Sequence, residues 1–505
     1  MPYLNSKNFI VLCIFFLAFV LRFYGLGKIP PSLFLDELSN GYNAYSILKT
    51  ARDEYGNKLP LTFRSFGDYN PALSVYPLVP SIYVFGLNDF AVRFPSALLG
   101  FLTVILTYLI TYRIFKKWQI AAFASFLLAI SPWHLQFSRY DHEANFMVFF
   151  TILGATLFFF AKDNLKSHKN YLLLLLSAVS FGLALNAYHG AKIWIPLFLL
   201  NIIFWYAKPL FKLRLKLIPL FAMLVISTYP IFQNINSSLI RANSVGIFGK
   251  KLMMEQIVSG YLSHYSPIYL FVLGDTIGRH SVPGMGELYV FEFPAIVVGL
   301  AAILKKRNRD LNFLLCWLAL AAIPAALATP TPHSLRSLTF IPVWSAVAAV
   351  GFYTISKFKI SKVYRLLAIF ILVVIGSYNF IIYLHLYYRH YPLEKAIDWT
   401  YGYKQMVEYV DKVKDDYESI AITNYAGWPY IAVLFYNKYE PASYQPQSEN
   451  KAAFGKYEFF GASWSKTKPG KALVVTPFWQ AHPANVLQNI YLPNGDLRFT
   501  ISTEQ

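Results

Sequence analysis

Apolar runs long enough to cross a bilayer recur from residue 8 to residue 386. A helix needs about 20 mostly apolar residues to traverse the hydrocarbon core. Eleven segments qualify: 8–26, 92–112, 119–137, 144–161, 171–187, 190–206, 215–233, 288–304, 312–329, 337–355 and 364–386. Residues 71–86 (PALSVYPLVPSIYVFG) are apolar enough to rank as a twelfth. Pro71, Pro77 and Pro80 each remove a backbone donor there, so this stretch reads as a helix that lies at the interface or dips in. Beyond about Pro392 the chain is too polar to span. There Lys404–Lys414 reads as a helix, and SIAIT (419–423) and ALVVT (472–476) as strands. The pattern predicts an α-helical polytopic membrane protein with about 11 transmembrane helices. Its transmembrane domain runs over 1–390 and an α/β domain over 391–505.

Charge orients the spans. Lys/Arg clusters occupy alternate loops: Arg113, Lys116 and Lys117; Lys162, Lys166 and Lys169; Lys208, Lys212, Arg214 and Lys216; Lys305, Lys306, Arg307 and Arg309; Lys357, Lys359, Lys362 and Arg365. The short loops between them carry only Arg139, Lys192 and Arg336. Basic loops stay cytoplasmic. The N-terminus, with Lys7, is therefore expected in the cytoplasm, and 27–91, 138–143, 188–189, 234–287, 330–336 and 387–505 outside. A twelfth span at 71–86 would invert every later loop. The localisation expected is a multi-pass cell-membrane protein with an extracytoplasmic C-terminal domain.

Composition agrees with a membrane class. The 505 residues are 56% hydrophobic and 14% charged, against about 25% charged in soluble proteins. The aromatic share of 18% argues against disorder. The net charge of +19 is mostly topology signal. The cations form no continuous patch, so nucleic acid is not an expected partner. Cys13 and Cys316 lie in apolar runs and build no disulfide framework, and no CxxC or Cys/His cluster offers a zinc site. Residues 9–20 resemble a signal-peptide core without a cleavage site, and read as an uncleaved first helix.

The cytoplasmic loops are too short for a nucleotide-binding domain, and no Walker or GxGxxG motif occurs. Chemistry on the outer face then needs a substrate that arrives already activated, such as a sugar on a polyprenyl phosphate. The outer loops carry suitable groups. Asp36-Glu37 follow the first span, and from Leu38 onward the segment reads as an amphipathic helix. One acid can take a proton from an acceptor hydroxyl while the other orients it; the plainer reading is a helix N-cap. SRYDHEANF (138–146) brings Arg139, Asp141, His142 and Glu143, and FRSFGDYNP (63–71) brings Arg64, Asp68 and Asn70. NAYHGAK (186–192) adds Tyr188, His189 and Lys192; GDTIGRH (274–280) adds Asp275, Arg279 and His280; TPHSLR (331–336) adds His333 and Arg336. Each alone reads equally as a polar loop, an interfacial aromatic or a snorkelling cation. Together they set acids for an acceptor and cations for a lipid phosphate on one face.

The chain resembles the C-type glycosyltransferases of the protein O-mannosyltransferase type (glycosyltransferase family 39), including bacterial relatives similar to the lipid A aminoarabinose transferase. The residues that carry the resemblance are LDELSNGYNA, FGDYNPALSVYPLVP, GLNDFAVRFPSALLG, LQFSRYDHEANF, HYSPIYLFVLGD and HSLRSLTFIP. It implies inverting transfer of a hexosyl, mannosyl or related sugar from a polyprenyl-phosphate carrier to a lipid, glycan or protein acceptor. It further implies Asp36 as general base, Glu37 assisting, Glu143 as second acid with Asp141 its rival, and His333 and Arg336 as a phosphate-facing element. Many bacterial relatives have Lys-Pro-Pro where this chain has Asn70-Pro71-Ala72, so the phosphate falls to Arg64, Lys192, Arg279 or Arg336. No cofactor is expected. Asp36, Glu37 and Glu143 have the oxygen ligands for a divalent ion, but the resemblance argues against one. The competing reading is a transporter or flippase. Transporters carry ionisable residues near the midplane of their spans; here the spans are almost clean, with Glu292 the main exception.

Overall fold

The computed structural model describes residues 6–504 apart from 166, 234–245, 247–252, 360, 426, 462–463, 466–468 and 480–484. Among the described residues, nine helices are long and apolar enough to cross a membrane, and a tenth span results if one bent pair is counted. Two of these windows, in Arg214–Ile231 and Lys362–Glu394, are 0% and 6% buried. Apolar faces of that size need lipid around them rather than water. The chain is a multi-span membrane protein.

Two expected spans differ in form. Residues 119–137 are two helices, Trp118–Ile130 and Pro132–Ser138, bent by 60°. The bend sits where Pro132 can only start a helix and the Ser131 hydroxyl accepts the His134 amide at 3.2 Å. The span expected at 288–304 is a 3-10 turn, Val290–Glu292, followed by a 14-residue helix, Phe293–Lys306. The Pro-rich stretch is a 3-10 turn, Ala72–Ser74, and an eight-residue helix, Leu78–Phe85, too short to cross.

The chain divides into two compact units. The first comprises Met1–Tyr24 and Ser96–Leu386 and holds most of the spans. Small residues let its helices approach closely. A Cβ on Gly351 would lie 1.7 Å from the Ala295 carbonyl oxygen, and one on Gly299 2.1 Å from that of Val347, so the helices Phe293–Lys306 and Ile341–Ile355 meet backbone to backbone. Polar side chains in the spans find partners: Asn145 donates to the carbonyl and hydroxyl of Ser96, each at 2.9 Å, and Asn201 to the Phe313 carbonyl.

The second unit comprises Gly25–Pro95 and Tyr387–Gln505, so the first outer loop and the tail form one body. Its sheet has the order β4-β5-β3-β6-β8-β7, with β3 (Ser419–Thr423), β4 (Ala453–Phe454), β5 (Tyr457–Phe460), β6 (Ala472–Pro477), β7 (Val486–Tyr491) and β8 (Leu497–Glu504). β3 runs parallel to β5 and β6, while β8 is antiparallel to β6 and β7. All five β3 residues are buried, which explains why Ile420, Ala421 and Ile422 do not alternate with polar positions. The helix expected at 404–414 is Tyr403–Val413. The helix expected to be amphipathic from Leu38 onward is Leu35–Thr50, and it is buried on most sides: residues 37–44, Ser46 and Ile47 are all buried, and Leu38 and Tyr42 join Ile431 and Phe435 in one core.

Candidate functional site

In the second unit, Leu35–Thr50 carries Asp36 and Glu37 in its first turn, where carboxylates meet the positive end of the helix dipole. The two acids have different surroundings. Glu37 is fully buried, and its Oε2 accepts the Phe34 amide at 3.0 Å, closing the helix N-terminus. Arg93 grips it with Nε on Oε1 at 3.0 Å and Nη2 on Oε2 at 3.2 Å. Arg93 is also fully buried and donates to the carbonyls of Leu26, Pro30 and Ser32, and Trp399 covers its guanidinium at 5.7 Å. Glu37 thus fixes the helix start to the preceding loop. Asp36 is only half-buried. Arg93 stands in the motif GLNDFAVRFPSALLG but was not singled out in sequence; a cation among apolar residues at the head of a span was the available signal.

The other candidates in this unit are held locally. β1 (Thr62–Ser65) and β2 (Asp68–Pro71) form a hairpin around Phe66-Gly67, both at positive φ, as a tight two-residue turn requires. Arg64 pairs with Glu449 at 2.9 Å on the surface and packs over Tyr55. The Asp68 carboxylate accepts the Tyr69 amide at 2.9 Å, and Asn70 donates to Asn40 Oδ1 at 3.1 Å. A second buried acid, Glu54, faces Lys451 at 3.9 Å, and Lys451 sits over the rings of Tyr55 and Tyr430. Burial pushes the Glu54 carboxyl up to about 7, against the pull of Lys451. Burial likewise lowers Lys451.

In the first unit, Arg139 is buried and donates to the carbonyls of Leu21 at 2.7 Å, Arg22 at 3.1 Å and Tyr24 at 2.8 Å. It thereby satisfies the free carbonyls at the end of the helix Ser6–Phe23. Asp141 is buried. His142 caps the helix Glu143–Ala161: its Nδ1 accepts the Ala144 amide at 3.1 Å. That lone pair is then in use, so the 3.4 Å approach of Glu143 to the same nitrogen is not an ion pair while the ring is neutral. Glu143 itself is half-buried at the first turn. His142 stacks edge-on between Tyr140 and Tyr188, with ring centroids 5.7 and 6.0 Å away. Tyr188 and His189 accept the Ala191 and Lys192 amides in the turn that leads into Ala191–Phe211.

A polar cluster joins residues 264–287 to 333–337. Asp275 accepts His280 Nδ1 at 3.0 Å, the Ser334 amide at 2.8 Å and the Ile277 amide at 2.9 Å. Glu287 accepts the Asp275 amide at 3.0 Å and the Ser334 hydroxyl. His264 Nε2 accepts the His333 amide at 3.0 Å, and the rings of His280 and His333 lie 4.8 Å apart. Phe137 packs on His280, and Gln136 donates to the Arg279 carbonyl at 2.7 Å, which ties in the bent helix. Arg336, half-buried, donates to the Thr329 carbonyl at 2.9 Å. Burial works to raise Asp275, but His280 and the Ile277 amide hold it down at about 2. Burial lowers His280 and His333, and Arg336 adds to both effects; His333 falls to about 2. Burial drives Glu287 well above the usual carboxylate range. Sequence reading named His280 and His333 separately and Glu287 not at all.

Comparison with known proteins gives the frame. The family model "Dolichyl-phosphate-mannose-protein mannosyltransferase" matches residues 12–234. ArnT from Cupriavidus metallidurans, solved with undecaprenyl phosphate, has a similar structure, with a TM-score of 0.60, 11% identity and coverage of 99% of this chain and 98% of that one. The archaeal oligosaccharyltransferase AglB from Archaeoglobus fulgidus, solved with an inhibitory peptide and a dolichol-phosphate, has a TM-score of 0.54 at 14% identity. That match covers 85% of this chain but spans only 63% of the archaeal enzyme's length. No curated protein matches the sequence. The chain has the fold of the C-type glycosyltransferases, and over residues 12–234 it carries the sequence pattern of the dolichyl-phosphate-mannose-protein mannosyltransferases.

Proposed function

We propose that this protein transfers a sugar, with inversion, from a polyprenyl-phosphate carrier to an acceptor on the extracytoplasmic face, with Asp36 as general base. The observation that carries this reading is the full-length likeness to a transferase bound to undecaprenyl phosphate, joined to the family match at residues 12–234. The state of the two first-turn acids supports the choice of base. Glu37 is engaged in a buried ion pair, whereas Asp36 is half-buried. A base must reach the proton it removes. The Asp36 carboxylate takes the acceptor's proton as its oxygen attacks the anomeric carbon, and the carrier leaves as polyprenyl phosphate. The candidate cations for that phosphate are Lys192, Arg279 and Arg336, with Arg64, which pairs with Glu449, a further one. The N-terminus is cytoplasmic and the second unit extracytoplasmic in this reading.

The test uses membranes that contain the wild type or Asp36→Asn, a labelled polyprenyl-phosphate sugar and total cell material as acceptor. Label should move into a lipid, glycan or protein fraction with the wild type. A positioned general base contributes about 10²–10⁴ in rate, so Asp36→Asn should lose at least about 100-fold while keeping its thermal unfolding profile. An Asp36→Asn protein at full rate removes Asp36 from the role. No movement with any of several sugars and acceptors favours the transporter reading.

A further inference from the structure

The proposed sugar transfer does not by itself require Asp275, His280 and His333 to share one buried point. One donor atom from each lies within 4.8 Å of the other two. His333 is 4% exposed, and among the described residues neither its Nδ1 nor Oε2 of buried Glu287 has a hydrogen-bond partner. Leaving a buried polar atom unmatched is costly, and the His333 ring lies beside the Asp275 and His280 donors. We infer that Asp275, His280 and His333 bind a divalent transition-metal ion of the zinc class, which ties the loop at 274–287 to the segment that precedes the helix Ile341–Ile355. Two imidazoles and one carboxylate suit zinc-class ions, whereas calcium takes six to eight oxygens and magnesium keeps several waters. Metal–ligand bonds of about 2.0–2.2 Å set the donors roughly 3.4 Å apart, so donor–donor distances shorten by up to about 1.4 Å on binding. Glu287, joined to Asp275 through its amide and to Ser334, is the supporting carboxyl that orients this ligand set. Arg279 and Arg336 oppose a cation here, which keeps the affinity below that of thiolate zinc sites.

The experiment uses the full-length protein without a histidine tag, in nanodiscs, stripped by a chelator and then equilibrated with Zn²⁺ or Co²⁺. Metal content is measured by mass spectrometry after desalting, and Co²⁺ absorption reports the coordination. The wild type should retain about one ion per chain. His280→Gln and His333→Gln should each weaken retention at least about tenfold, while Glu143→Gln should keep it. Equal retention in the wild type and both histidine variants overturns the site, as does a wild type that retains none. If the variants do not fold, the Co²⁺ spectrum of the wild type decides: tetrahedral bands support the site, and their absence leaves water as the filler of the cluster. Metal content is read without any sugar substrate, so the outcome is independent of the transferase reading.

Discussion

Two buried polar groups in this molecule are built to opposite ends. In the second unit, the Glu37 carboxylate and the Arg93 guanidinium match each other, with the remaining donors of Arg93 on loop carbonyls. Charge and hydrogen-bonding capacity are closed there, and the pair sets the shape of the loop around Asp36. In the first unit, the cluster of Asp275, His280, His333 and Glu287 is dense in hydrogen bonds yet leaves His333 Nδ1 and Glu287 Oε2 without partners among the described residues. A closed pair fixes structure, whereas an incomplete one has capacity left for a ligand. Burial alone separates neither from the other.

The comparison can be broken by experiment, and the largest effect is expected at the closed pair. Arg93→Met leaves a charged Glu37 in an apolar site, and breaking a buried pair from one side costs about 3–5 kcal/mol. Denaturant unfolding of the second unit should show that loss, with Glu37→Gln less affected because its amide still accepts from Arg93. A neutral Arg93→Met would mean that the pair is not closed in solution.

Next comes Glu54, a buried acid near a cation but not in contact with it. Its folded-state value, about 7, lies above the ordinary 4.5. The folded protein therefore holds the proton more tightly than the unfolded chain. Its contribution is present below about pH 4.5 and is lost as pH rises through about 7, with a slope of up to about 1.4 kcal/mol per pH unit. Thermal unfolding between pH 5 and pH 8 should show this decline, and Glu54→Gln should flatten it. An unchanged slope in the variant would place the proton elsewhere.

The smallest effect is expected at the exposed pair. Arg64→Ala removes a bridge to Glu449 in which the side chains are 45% and 73% exposed, and such pairs contribute about 0–1 kcal/mol. A loss of stability well above about 1 kcal/mol would show that charge matching matters in this unit irrespective of burial. A strong loss of donor binding instead would return Arg64 to the phosphate site.

Much of the architecture was readable along the chain, because apolar runs are local signals. Nine of the eleven expected spans, the short helix at Leu78–Phe85 and the strands at 419–423 and 472–477 fall where hydrophobic spacing puts them. The break at Ser131-Pro132 and the late start of Phe293–Lys306 were less legible, since both depend on caps rather than hydropathy. The helix Leu35–Thr50 was misjudged as amphipathic because its polar positions, Ser39, Asn40, Asn43 and Ser46, face protein and not water.

The candidate chemistry divides in the same way. The sequence by itself determined a polytopic membrane protein, the acids at Asp36-Glu37 and the resemblance to C-type transferases, because composition, period and motif order are properties of the chain. Only the tertiary structure decided that Glu37 is closed by Arg93, that Arg139 ends a helix, and that His280 and His333 share a buried point with Asp275. Those outcomes depend on which distant side chains meet and how far water is excluded. Burial makes an unmatched charge or lone pair costly, and no local sequence pattern records where that burial occurs.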